Sequence, residues 1–200
     1  MHFLKNSAAI RLLKSRETLK GIGNRFAMPE RVLVLTGFMG SGKSSVGRKL
    51  AALLEVPFID LDAEIVATAG RSINAIFAAE GEQAFRILES AELERVMSAG
   101  GRCVLATGGG AVLAGQNRIL MRSRGVIINL RVTLDQVMVR LRGCRNRPLL
   151  AGEDAAKRAN SLIGEREQFY ADADIRIDTD GKSVEDVAAE ILCRLKGFSL

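Results

Sequence analysis

The chain has 200 residues, 48% apolar and 26% charged, which suits one globular domain with a sizeable buried core. Its net charge of +6 is concentrated near the start, where Lys5, Arg11, Lys14, Arg16, Lys20 and Arg25 face only Glu17 and Glu30, leaving +2 for the remainder. With no Trp and Tyr170 as the one Tyr, a base-stacking nucleic-acid surface is not expected. No apolar run reaches the roughly 20 residues that span a bilayer, so no membrane partner is expected either.

Cys103, Cys144 and Cys193 are odd in number and widely spaced. They fit no disulfide framework or metal-ligand spacing and read as free thiols of a reducing compartment, which places the protein in the cytoplasm. Residues 1–30 form a basic extension with a helical scatter broken by Gly21 and Gly23. The extension lacks the long apolar stretch of a secretory signal and is expected to be poorly ordered. It weakly resembles a transit peptide, and Met28 offers an alternative start. The remainder, 31–200, reads as a single domain.

From residue 31 short apolar runs alternate with helical patterns. "RVLVLT" is a strand, and "GFMGSGKSS", Gly37 to Ser45, follows it directly before the helix "KSSVGRKLAALL". The pattern G-x-x-x-x-G-K-S between a strand and a helix cradles phosphates. Glycines let backbone N–H groups turn inward, the helix directs its positive end at the anion, Lys43 reaches the outer phosphates, and Ser44 offers a hydroxyl to Mg²⁺.

A second strand, "VPFID", ends on Asp60, with Asp62 two residues on. Ligands of open α/β sheets bind outside such strand ends, so the pair could divide metal and acceptor binding between them. Alternatively one of them merely caps the helix that follows. Two residues apart on a continuing strand, the two side chains would face the same side and could share a cleft, unless the turn into the helix re-aims one of them.

Next come the helix "GEQAFRILESAELERVMSA", which carries Arg86, and the strand "RCVLAT". This strand lacks the aspartate that often ends it in phosphate-loop proteins, leaving Asp60 as the candidate metal contact. Gly108, Gly109 and Gly110 then remove three Cβ atoms in a row, so that a ligand can lie against backbone.

After the strand "GVIINL" and the helix "TLDQVMVRL" comes an arginine-dense segment with Arg140, Arg142, Arg145 and Arg147. It reads as a mobile lid, about residues 142–156, or as a solvated basic loop. A helix with Arg166 and Tyr170, the strand "ADIRID" and a last helix opened by Ser183 complete the chain. Alternating strands and helices predict a parallel sheet covered on both faces.

Taken together, "GFMGSGKS", "DLD", "GEQAFR", "TGGGAV", "NRPLL" and "REQFY" occur in the order found in shikimate kinases, and the chain resembles that family from residue 31 to about 196. The resemblance implies a three-layer α/β/α fold of the P-loop NTPase type, like a nucleoside monophosphate kinase, with a five-stranded parallel sheet and a lid. It implies transfer of the γ-phosphate of ATP to the 3-hydroxyl of shikimate, with Mg²⁺; a monomer without a nucleic-acid partner is expected beside it. Gly40, Ser41, Gly42, Lys43, Ser44 and Ser45 would hold the phosphates. Arg140 and the loop "DTDGKS" would border the adenine, and Arg147 would close over the phosphates. Ser44 and Asp60 would serve Mg²⁺, directly or through water. Asp62 would bind the acceptor hydroxyls and act as base. Arg86 and Arg166 would clamp the carboxylate, with Gly108, Gly109 and Gly110 against the ring. Lys43, Asp62 and Arg147 are the candidate catalytic residues.

Other readings remain open at the sequence level. They are another P-loop kinase, such as a gluconate or nucleoside monophosphate kinase, and a non-catalytic nucleotide-dependent interaction protein. Nucleic-acid binding through the extension would rest on charge alone.

Overall fold

The computed structural model of the protein describes residues 31–140 and 154–196. The N-terminal extension, most of the lid and its Arg142, Arg145 and Arg147 lie outside the described residues, so the expectations placed on them do too.

The five apolar runs form the strands β1 (Val32–Thr36), β2 (Phe58–Asp60), β3 (Val104–Ala106), β4 (Gly125–Arg131) and β5 (Ile175–Asp178). They build one parallel sheet in the order β2-β3-β1-β4-β5. β1 is buried at every position, which is why its sequence VLVLT shows no polar alternation. Val34 stands level with Leu105 on one side and Ile127 on the other. β2 is short and lies at the edge. Pro57, which has no N–H to donate, precedes it and contributes only its carbonyl, accepting from Val104 N–H at 2.9 Å.

The helices are α1 (Lys43–Leu54), α2 (Leu61–Ala69), α3 (Ile73–Ser98), α4 (Gly115–Arg124), α5 (Leu134–Arg140), α6 (Ala155–Ala171) and α7 (Val184–Leu195). Alternate strand residues feed two separate cores, as a period of two requires. Val32, Val34, Leu105 and Ile127 pack with Ile65 of α2, Leu93 of α3, Met121 of α4 and Tyr170 of α6. Leu33, Leu35, Val104 and Ile128 pack with Leu50 of α1 and Ile191 of α7. The result is the expected three-layer α/β/α arrangement.

α3 departs from the pattern legible in the sequence, which marks a helix only from Gly81. The helix begins at Ile73, where Ser72 Oγ accepts from Ala75 N–H at 3.2 Å. Gly81 sits inside it at φ 80, ψ 179, so the element is two helical pieces joined at a break. Arg86 stands just beyond that break.

The sheet order puts β1 at the centre, with β3 and β4 on either side. The chain leaves β1 through the glycine loop and leaves β3 through Thr107–Gly110. Both turns therefore lie side by side at the C-terminal ends of adjacent strands, where an open α/β sheet places its ligands.

Candidate active site

The glycine loop takes conformations that side chains resist. Gly37, Gly40 and Gly42 have φ of 137, 77 and 97°. At Gly37 a Cβ would also strike the Leu130 carbonyl, so the loop lies tight against β4. Lys43 folds back over the loop and donates from Nζ to the carbonyls of Gly37 at 2.7 Å and Phe38 at 3.1 Å. α1 starts behind Gly42 with no side-chain cap and no acidic residue in its first turn. Its first turn thus carries no acid of its own, and its positive end is suited to a phosphate.

Asp60 and Asp62 line the same cleft as Lys43, Ser44, Thr107, Gly109 and Arg140. The strand does not continue through both aspartates, because α2 starts at Leu61 between them. Asp60 occupies the N-cap position of α2 but makes no capping hydrogen bond. Its Oδ2 accepts instead from Ser44 Oγ at 2.7 Å. The merely structural account of Asp60 as a cap therefore does not describe its side chain.

The Ser44–Asp60 pair fits Mg²⁺ chemically. Both offer hard oxygen donors, and among the described residues no group of three or more His, Cys, Asp or Glu gathers as an all-protein cage. Mg²⁺ commonly takes one or two protein ligands and completes its shell with water and phosphate.

Arg140, at the end of α5, ties two loops together. Its Nη1 donates to the Gly40 carbonyl at 3.0 Å and to Thr179 Oγ1 at 3.1 Å, and its Nη2 donates to the Thr179 carbonyl at 2.8 Å. Thr179 belongs to the loop after β5, so the phosphate loop and the "DTDGKS" loop meet at this arginine.

On the far side of Gly108–Gly110 lies a second constellation. Arg166 of α6 is 2% exposed, donates from Nη1 to the Gly109 carbonyl at 3.3 Å and lies 5.9 Å from the Phe38 ring. Tyr170, one turn on, donates its hydroxyl to the same carbonyl at 2.6 Å. Burial pushes this phenol up to about 12, against the lowering effect of Arg166, so it remains a donor at neutral pH. Arg86 lies flat against Gly110, where any Cβ would collide with its guanidinium. It is held by Glu89 through Nη1 at 2.7 Å and by Glu82 through Nη2 at 2.8 Å. Glu89 is 1% exposed, and burial raises its carboxyl above the usual range although Arg86 opposes the shift.

The structure thus brings Lys43, Ser44, Asp60, Asp62 and Arg140 into one cleft and sets Arg86 and Arg166 on the glycine turn that borders it. The sequence pattern gives no role to Glu89 or Phe38, and Thr179 enters only as part of the "DTDGKS" loop. A glutamate three residues after Arg86 on a helix is detectable as a pairing partner, but its burial is not. Phe38 sits at a position the P-loop pattern leaves free, and only the fold turns its ring toward Arg166.

The family pattern described as shikimate kinase matches residues 39–196. A shikimate kinase of Geobacter metallireducens is 54% identical over 167 residues, covering 84% of this chain and 93% of the relative. A shikimate kinase of Acinetobacter baumannii, solved in complex with shikimate, superposes with a TM-score of 0.82 at 36% identity, covering 85% of this chain and 95% of that one. The Aquifex aeolicus shikimate kinase superposes at 0.73 with 36% identity, covering 84% and 98%.

Proposed function

The chain belongs to the shikimate kinase family, and from that premise we propose that it transfers the γ-phosphate of ATP to the 3-hydroxyl of shikimate, giving shikimate 3-phosphate and ADP. The observation that carries the reading is the pair of arginines, Arg86 and Arg166, set from two helices onto one glycine turn beside the phosphate cleft. Two planar forks suit a carboxylate, and a small acid seated there would present its hydroxyls toward Asp62.

Phosphoryl transfer asks a protein mainly to position groups and offset charge. Loop N–H groups and Lys43 would hold the outer phosphates, Ser44 and Asp60 would hold Mg²⁺, and Asp62 would accept the acceptor proton. When bound, Mg²⁺ neutralises phosphate charge. Lys43 would exchange the Gly37 and Phe38 carbonyls for phosphate oxygens, which keeps the ammonium placed before the nucleotide arrives. Arg140, already on Gly40 and Thr179, would lie along the adenine, and Arg147 would complete the charge from the lid.

Localisation in the cytoplasm, as a monomer, belongs to the same reading. Cys103 and Cys193 are free thiols, and no helix among the described residues is long and apolar enough to cross a membrane. An acceptor panel with coupled ADP detection tests the assignment. Shikimate should support turnover where gluconate and nucleoside monophosphates do not, and preference for either rival would overturn it.

A further inference from the structure

Three carboxylates face two guanidiniums around the glycine turn. Asp62 of α2 and Glu82 and Glu89 of α3 stand against Arg86 of α3 and Arg166 of α6, with the neutral Tyr170 hydroxyl of α6 beside them. An anionic acceptor entering this set adds one more negative charge. Glu82 is 47% exposed, so water screens it.

Glu89 has no such outlet at 1% exposure. Its Oε2 accepts from Arg86, while its Oε1 is buried without a hydrogen-bond partner among the described residues. A Cβ on Gly108 would strike Glu89 Oε1 and lie 3.1 Å from Asp62 Oδ1, so the two carboxyl groups converge on that glycine. A buried carboxylate whose bare oxygen faces a second carboxylate favours a proton on two counts, desolvation and like charge. The upward displacement of the Glu89 carboxyl by burial agrees with this geometry.

We propose that Glu89 is a proton-binding positioning residue of the acceptor site, taking up one proton from solvent as the shikimate carboxylate docks on Arg86 and Arg166. The proton goes to Oε1, while Oε2 keeps its bond from Arg86. The monoanion and the proton enter together, and the net charge of the site is unchanged. Phosphoryl transfer itself does not consume this proton. The inference rests on the acceptor reading above. The sign follows from it: the protonated form binds shikimate better. Affinity falls as pH rises from the Glu89 value of the free protein toward the higher value of the complex.

Calorimetric titration of shikimate into the full-length protein, in buffers of matched pH and different ionisation enthalpy, counts the protons. The expected result is uptake approaching one proton per shikimate within the range of about pH 5 to about pH 8, where an upward-shifted carboxyl titrates. Glu89→Gln, which mimics the protonated group, should abolish the uptake. It should keep KM for shikimate within a few-fold of the parent value at the acid end and flatten the rise of KM with pH. Shikimate binding without uptake by the unaltered protein overturns the inference and leaves the acceptor reading standing. Uptake that survives in Glu89→Gln also overturns it, as does a loss of affinity beyond about tenfold at the acid end. If the unaltered protein does not bind shikimate, both readings fall. Absence of uptake by the unaltered protein overturns the inference even if the variant does not fold.

Discussion

Arg166 is buried with one Nη on a backbone carbonyl and its plane beside Phe38, so its shape matters as much as its charge. Lysine carries the charge without the fork. Arg166→Lys is expected to weaken shikimate binding by about 1–3 kcal/mol while nucleotide binding stays near normal, checked by titrating each ligand separately. Equal loss for both ligands would move Arg166 out of the acceptor site. Asp60 and Asp62 share a cleft but differ in their partners, since Asp60 accepts from Ser44. Asp60→Asn should therefore raise the Mg²⁺ concentration needed for half-maximal rate. Asp62→Asn should lower kcat by roughly 10²–10⁴-fold with little change in the Mg²⁺ curve. A magnesium titration of both variants at saturating shikimate and ATP checks the assignment, and the opposite pattern reverses it.

At the scale of elements, the legible part of the fold is the part that composition alone dictates. VLVL is apolar at every position because β1 is buried on both faces, and the glycine loop between strand and helix is written in its spacing. The start of α3 is not legible, because Gly81 reads as a stop while Ser72 caps a helix eight residues earlier. The turn between Asp60 and Asp62 is likewise not legible, since alternation would set residues two apart on one strand face, whereas α2 begins between them. Glu89 is hidden for a different reason: helical glutamates are ordinarily solvated, and only packing against the glycine turn buries this one. The break at Gly81 is itself testable. Its φ of 80 with ψ of 179 is a region glycine alone takes readily, and nothing lies within 4 Å of a Cβ built there. Gly81→Ala should thus cost about 1–3 kcal/mol through backbone strain alone, read from denaturant unfolding. A neutral result would mean that the two pieces of α3 straighten without penalty.

For the whole molecule, the two sites depend on one sheet order. β1 and β3 are neighbours, so the phosphate loop and the glycine turn open into a common cleft between two cores packed on opposite faces. The family pattern begins at residue 39, and all residues of the site, from Gly37 of the phosphate loop on, lie beyond Met28. A chain starting at Met28 is accordingly expected to keep shikimate-dependent turnover and a melting temperature within a few degrees of the full chain, and a large fall in either would make residues 1–27 part of the domain. The most direct test of the central claim is ADP release from Mg-ATP by the full-length protein, with and without shikimate, with the phosphorylated position identified by NMR. The account predicts release that depends on shikimate and saturates with it, and a phosphate on the 3-hydroxyl. Nucleotide binding with no shikimate-dependent release, or a phosphate on another hydroxyl, would contradict it.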